Sequence, residues 1–159
     1  MQKYDIVALG GTFDIIHDGH MKLLNKAFSI SNKAIIGLTS DELAAKKGKN
    51  LLKDYHERFE SLKSVIEKNF PKSSYEISKL ENDFGPAVIE GSVQALVVSE
   101  ETRNKWRILN VLRAKRNLPL VETVVVPMVL AEDGGTISTT RIKNSEIDSS
   151  GNLNWQQTC

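Results

Sequence analysis

The sequence has one cysteine, Cys159, at its last position, so neither an internal disulfide nor a cysteine metal cage can form within one chain. It has no apolar run approaching the roughly 20 residues that a bilayer span requires. Its N-terminus lacks the basic, apolar and cleavable regions of a signal peptide, so a soluble, cytoplasmic protein is expected. Excess charge is also missing: 21 Lys and Arg against 20 Asp and Glu leave a formal +1. So weak a field does not call for nucleic acid, an anionic membrane or an acidic protein as partner, and any anion binding must come from local clusters. There are no internal repeats or low-complexity stretches.

What remains is ordinary globular composition. With 159 residues, 40% apolar and 26% charged, the chain is long enough for one well-buried core. A single domain over 1–159 is expected, with 148–159 a polar, irregular tail in which Trp155 is the one residue suited to docking on the body. Tyr4 to Leu9, Lys33 to Thr39, Ala95 to Ser99 and Val121 to Val126 are short apolar runs that read as buried parallel strands, and Ser74 to Leu80 is a further candidate. Between them Met21, Leu24 and Phe28 share a helical face, as do Phe59, Leu62 and Ile66, and Trp106, Leu109 and Leu112. Asn82-Asp83-Phe84-Gly85-Pro86 reads as a turn before a short helix through Ala87 and Ile89. Strands alternating with helices predict an α/β fold, a doubly wound parallel sheet with right-handed crossovers.

Gly10-Gly11-Thr12-Phe13-Asp14 follows the first strand directly and reads as a turn at the carboxyl edge, where open α/β sheets place their ligands. Glycine permits close backbone approach, Thr12 supplies a hydroxyl, and a helix starting near Asp18 or Gly19 turns free N–H groups and its positive dipole end outward, which suits phosphate. His17 and His20 are spaced so that both imidazoles can lie on one side of that helix start, with Gly19 leaving room between them for an anion. Taken alone such a pair reads as surface or capping histidines; the glycine turn before them favours a site. A catalytic zinc would need a third ligand, and His56 is the only other histidine, so no protein-held metal is expected. Neither a Gly-Lys-Ser/Thr P-loop nor a Gly-x-Gly-x-x-Gly fingerprint is present.

Three more segments add anion-binding groups. Thr39-Ser40-Asp41-Glu42 leads into Lys46-Lys47-Gly48-Lys49 after the second strand, three lysines in four residues that form an anion funnel or a solvated charged loop. Ser99-Glu100-Glu101-Thr102 ends the fourth strand; Arg103 and Arg107 beyond it are placed to reach phosphates, and Glu100 to hold a ribose hydroxyl, while Trp106 belongs with the core. Ala131 to Lys143 is a glycine turn followed by Ser138, Thr139 and Thr140 at a helix start, with Arg141 and Lys143 just inside. Simple N-capping accounts for the hydroxyls but not for the two cations.

Gly11-Thr12-Phe13-Asp14 followed by His17-Asp18-Gly19-His20 resembles the signature of the nucleotidylyltransferase superfamily, whose Rossmann-like core is similar to class I aminoacyl-tRNA synthetase domains. Ile137 to Lys143 resembles the second motif of that family, Ile-Ser-Ser-Thr-x-Ile-Arg, with Thr139 for the second serine and Lys143 for the arginine, which keeps the charge and loses the bidentate fork. Through Gly10 to Leu24, Thr39 to Lys47, Val97 to Thr102 and Pro127 to Asp148 nearly the whole chain is similar to the archaeal phosphopantetheine adenylyltransferase family. The resemblance implies ATP and 4′-phosphopantetheine as substrates, magnesium carried on the phosphates of ATP, and a monomer or small homo-oligomer. It also implies roles: His20 with Lys46 or Lys47 at the transferring phosphate, Thr12 at the acceptor phosphate, and His17, Arg141 and Lys143 at the triphosphate, with Gly11, Phe13, Glu100, Arg103, Ser138, Thr139 and Thr140 completing the nucleotide site. The motifs alone reach only the transfer class. Another phosphate acceptor (flavin mononucleotide, nicotinamide mononucleotide or glycerol phosphate) remains open, as do a non-catalytic nucleotide-binding protein and an RNA-binding relative of synthetase domains, although the near-neutral charge speaks against RNA.

Overall fold

The computed structural model describes residues 3–82, 84, 92–99 and 104–127. In chain order these form β1 (Tyr4–Gly11), α1 (Asp18–Ile30), β2 (Ser31–Thr39), α2 (Asp41–Lys46), α3 (Tyr55–Asn69), β3 (Tyr75–Leu80), β4 (Ala95–Ser99), α4 (Asn104–Lys115) and β5 (Glu122–Val126). The strands make one five-stranded sheet in the order β3-β2-β1-β4-β5, every pairing parallel. Strand order reverses at β1, which has β2 on one side and β4 on the other, so the crevice of an α/β sheet opens at the carboxyl end of β1. The architecture is the Rossmann-like α/β layout expected from the alternation of apolar runs and helical faces.

Side chains alternate across β1, and each set finds its own core. Val7 and Leu9 pack on one face with Leu24 and Ala27 of α1 and Leu62 and Ile66 of α3. Ala8 packs on the other face with Leu96, Val98 and Leu109. That two-sided burial is why β1, β2 and β4 read as nearly continuous apolar runs. The helices begin where side chains satisfy their first N–H groups: Asp54 accepts from the Glu57 N–H at 2.8 Å and Glu57 accepts from the Asp54 N–H at 3.4 Å, a capping box for α3.

Three boundaries differ from the sequence reading. Gly10 and Gly11 are still strand, paired with Gly37 and Leu38 of β2, and the turn begins only at Thr12. Glycine extends as readily as it turns, so its presence alone does not end a strand. β2 starts at Ser31, directly after α1, because Ser31 Oγ caps the Ala27 carbonyl at 2.7 Å and lets the chain reverse without a loop. Helix α2 has no sequence periodicity to announce it: it has six residues and buries only Leu43 and Ala44, and it is set by Ser40, whose Oγ accepts from the Leu43 N–H at 3.0 Å. Among the described residues no helix is long and apolar enough to cross a membrane.

Leu24 is fully buried where α1 meets the sheet. Leu24→Ala is expected to destabilise the fold by about 3 kcal/mol, the transfer and cavity terms together, read by urea unfolding; a loss below about 1 kcal/mol would contradict this packing.

Candidate active site

Past Gly11 the chain turns through Thr12, Phe13 and Asp14. Phe13 takes φ +51, the left-handed region, and sends its ring into the core at 1% exposure. Burial of an aromatic ring offsets a backbone strain of order 1 kcal/mol. A Cβ at Gly11 would stand 3.0 Å from that ring, so any larger residue there would have to push the buried ring aside. Phe13 thus shapes the site from beneath. Asp14, also buried, accepts the N–H groups of Leu52 at 2.9 Å and Lys53 at 3.0 Å, which draws the loop after α2 across the turn.

Helix α1 starts at Asp18 with an unusual capping box made of two imidazoles. His17 Nδ1 accepts the Gly19 N–H at 3.1 Å, and His20 Nδ1 accepts the His17 N–H at 3.2 Å. The rings stack with centroids 3.9 Å apart, and His20 also lies against Phe13 at 4.7 Å. Burial lowers the His17 pKa, an effect that Asp18 partly opposes, and it lowers that of His20 to about 3, aided by the charges of His17 and Lys49. Both imidazoles are therefore neutral near pH 7. With Nδ1 of each accepting a backbone N–H, the hydrogen-bond pattern assigns the proton to Nε2. An Nε2 that carries its proton has no free lone pair, so each ring offers a donor and not a base or nucleophile.

The room expected beside Gly19 for an anion is filled by protein. A Cβ at Gly19 would stand 2.8 Å from Cε1 and 3.0 Å from Nδ1 of His17, because the His17 ring lies over that glycine in order to cap it. Rings stacked this closely admit no anion between them; a ligand must meet their outer edges.

Next to this helix start a cleft of about 780 Å³, including its open mouth, runs along the carboxyl ends of β1, β2 and β4. Its polar lining is Thr12, Thr39, Lys47, Lys49 and Lys105, and its apolar lining includes Leu23, Leu43, Leu80, Phe84 and Val98. Lys49 Nζ donates to Thr12 Oγ1 at 2.9 Å, joining the lysine loop to the first turn. Burial lowers the Lys49 pKa, and the charges of Lys47 and Arg58 add to that. Neither histidine lines the cleft; Leu23, one turn further along α1, does, and Lys49 links the two regions.

Of the predicted residues, the structure brings Gly11, Thr12, Phe13, His17, His20 and Lys47 to one edge of the sheet. Lys46, expected to share a role with Lys47, ends α2 in an exposed position outside the lining, because a six-residue helix carries it past the cleft before the chain turns back. Arg107 is likewise exposed on α4, whereas its neighbour Lys105 lines the cleft. Trp106 packs half-buried against the core, as its helical spacing suggested, with its Nε1 donating to the Val121 carbonyl at 2.7 Å. Lys49 was hidden as the third lysine of a run; the mark that sets it apart is Gly48 at φ +72, which reverses the chain toward Thr12. Also missed was Arg58, whose signal is a cation four residues before Leu62 on the buried face of α3. Glu100, Arg103, Ser138, Thr139, Thr140, Arg141 and Lys143 lie outside the described residues, as do 83, 85 and 86 of the turn expected over 82–86, the short helix expected through Ala87 and Ile89, and the tail at 148–159 with Trp155 and Cys159.

The family described as cytidylyltransferase-like matches residues 8–145. The phosphopantetheine adenylyltransferase of Methanothermobacter thermautotrophicus is 37% identical over 152 residues, covering 96% of this chain and 91% of that protein. That of Methanosarcina barkeri is 43% identical over 150 residues, covering 92% and 91%. Among solved structures, a protein with unknown function from Archaeoglobus fulgidus superposes with a TM-score of 0.69 at 29% identity, over 77% of this chain and 88% of that one.

The depressed His20 pKa makes stability depend on pH in a defined direction. Between the ordinary value of 6.5 and about 3, the unfolded chain binds a proton at His20 that the folded chain does not, so stability falls as pH is lowered through that window. Urea unfolding compared between pH 7 and about 4 is expected to show a larger loss for the wild type than for His20→Gln, which has no such proton to take up. Equal losses would contradict a neutral His20 in the fold.

Proposed function

The chain belongs to the cytidylyltransferase-like family, and on that footing we propose that it transfers the adenylyl group of ATP to 4′-phosphopantetheine, giving dephospho-coenzyme A and pyrophosphate in coenzyme A synthesis. One observation carries the reading: the Lys49 to Thr12 bond gathers a cation and a hydroxyl at the mouth of the cleft, beside a helix start that offers two neutral imidazole donors. Phosphate oxygens are what such a set of donors recognises.

The reaction needs no protein nucleophile. An oxygen of the acceptor phosphate attacks the α-phosphorus of ATP in line, the new P–O bond forms as the bond to pyrophosphate breaks, and the site contributes position and charge stabilisation. Thr12, held by Lys49, orients the acceptor phosphate. His20 donates from Nε2 to an α-phosphoryl oxygen, and its neutrality keeps that donor unchanged across the physiological range. Lys47 and Lys49 supply the positive charge, with Lys47 taking the role assigned to it or Lys46. His17, Arg141 and Lys143 hold the triphosphate, Glu100 the ribose, and Gly11, Arg103, Ser138, Thr139 and Thr140 the remaining nucleotide contacts. The polar part of the cleft lining is cationic and hydroxylic, which suits phosphates rather than a bare cation, so magnesium would come to this site on the phosphates of ATP and would neutralise part of their charge. The enzyme works in the cytoplasm as a monomer or small homo-oligomer, with no membrane or nucleic-acid partner.

Incubation of the protein with magnesium, ATP and 4′-phosphopantetheine tests this directly, by pyrophosphate release and the mass of the product. ATP-dependent dephospho-coenzyme A is expected; product with flavin mononucleotide, nicotinamide mononucleotide or glycerol phosphate instead would overturn the acceptor. His20→Ala is expected to lower kcat by about two to three orders of magnitude, the loss of one donor used mainly in the transition state. Turnover like the wild type's in that variant would remove His20 from its role.

A further inference from the structure

Arg58 is the largest fully buried side chain of the described residues, and the roles given above do not use it. It projects from α3 on the same face as Leu62 and Ile66. Its Nη1 donates to the carbonyls of Thr12 at 2.9 Å and Thr39 at 2.7 Å. Nε donates to the Lys53 carbonyl at 3.2 Å, and Nη2 to Asp41 Oδ1 at 2.8 Å. The Tyr55 ring lies 5.8 Å from the guanidinium, and Asp41 also accepts the Tyr55 N–H at 3.1 Å. Burial raises the Asp41 carboxyl, but the bonds from Arg58 and Tyr55 and the charges of Arg58 and Lys79 outweigh it and hold the pKa below the usual range. The ion pair is thus intact at neutral pH.

The three carbonyls belong to different segments: the turn after β1, the last residue of β2 and the loop that carries the lysines. Each sits where the chain leaves regular structure, and each needs a donor if it is to be buried. One planar fork satisfies all three and so fixes their relative positions, which a single flexible ammonium does not. Thr12 is thereby held twice, its carbonyl by Arg58 and its hydroxyl by Lys49. The Lys49 loop is itself anchored by Asp14 and by the bond from Arg58 to Lys53.

We propose that Arg58 is a positioning residue for the transfer reaction: without touching substrate, it sets the Thr12 turn and the Lys49 loop against each other at the spacing the phosphates require. The proposal rests on the reading of this site as an adenylyl-transfer site and adds to it a residue that works from beneath. A structural role alone predicts lower stability with normal turnover in the folded fraction. A positioning role predicts lower kcat in protein that is still folded.

The test uses the whole chain with ATP, magnesium and the phosphate acceptor that the wild type turns over, so the acceptor assignment and this proposal fail separately. Arg58→Lys is expected to lower kcat by roughly 100-fold, the effect of misplacing reacting groups by about 1 Å, while KM for ATP stays within about threefold. In a Lys49→Ala background the same change is expected to lower kcat by less than about fivefold, because the spacing it sets no longer has both partners. Asp41→Asn, whose amide oxygen still accepts from the guanidinium, is expected to lower the melting temperature and keep kcat within about twofold. If Arg58→Lys does not fold, Arg58→Gln is read the same way. Unchanged kcat in folded Arg58→Lys, multiplicative losses in the Lys49→Ala background, or an equal kcat loss in Asp41→Asn would each overturn the proposal.

Discussion

A helix start leaves N–H groups that its own turns cannot satisfy, and α1 meets this need with histidines where other helices use hydroxyls or carboxylates. Much of the site follows from that substitution. Each imidazole spends Nδ1 on the backbone, so its proton is confined to Nε2; each ring is drawn against the chain, so burial keeps it neutral. Residue 19 has to be glycine because the His17 ring occupies the place of its Cβ, and Phe13 has to turn inward to support His20. A structural device thus dictates a chemical one. The pair that caps the helix is restricted to donating hydrogen bonds outward.

The neighbouring cleft divides its work by charge. Neutral donors stand at α1, while the cations arrive on the loop after α2 and at the start of α4, each at the carboxyl edge where the parallel sheet leaves its ends free. Lys49 bridges the two, with its ammonium on Thr12 and its charge felt by His20. Beneath them the sheet has no side chains of its own where Gly10 pairs with Gly37, and Leu80 covers that place, so closely that a Cβ at Gly37 would come within 2.7 Å of its Cδ1. That apolar floor and the cationic rim suit a molecule with a phosphate at one end and a less polar remainder.

The sequence made the sheet legible because β1, β2 and β4 are buried on both faces and so carry uninterrupted apolar runs; their order follows from alternation with helices. The His17 and His20 pair was legible by its spacing, and its neighbours by resemblance. What stayed hidden depends on side-chain direction. Nothing in a run of lysines says that Lys49 folds back to Thr12 while Lys46 points away, because that choice is made by a six-residue helix and one glycine of positive φ. Arg58 was legible only as an oddity on an apolar helical face, since its partners are carbonyls 46 and 19 residues away. The capping role of the histidines, set aside as the plainer alternative to a binding role, turns out to coexist with the geometry of a site.

In the proposed transfer the imidazoles act as hydrogen-bond donors and no protein group is adenylylated. Transfer from ATP made chiral at the α-phosphorus, with the configuration of the product read by phosphorus NMR, tests it most directly. A single in-line displacement inverts that centre, and inversion is the result predicted here. Retention would require two displacements through a covalent adenylyl-enzyme, on an imidazole or on a lysine of the cleft, and would contradict the proposed direct transfer.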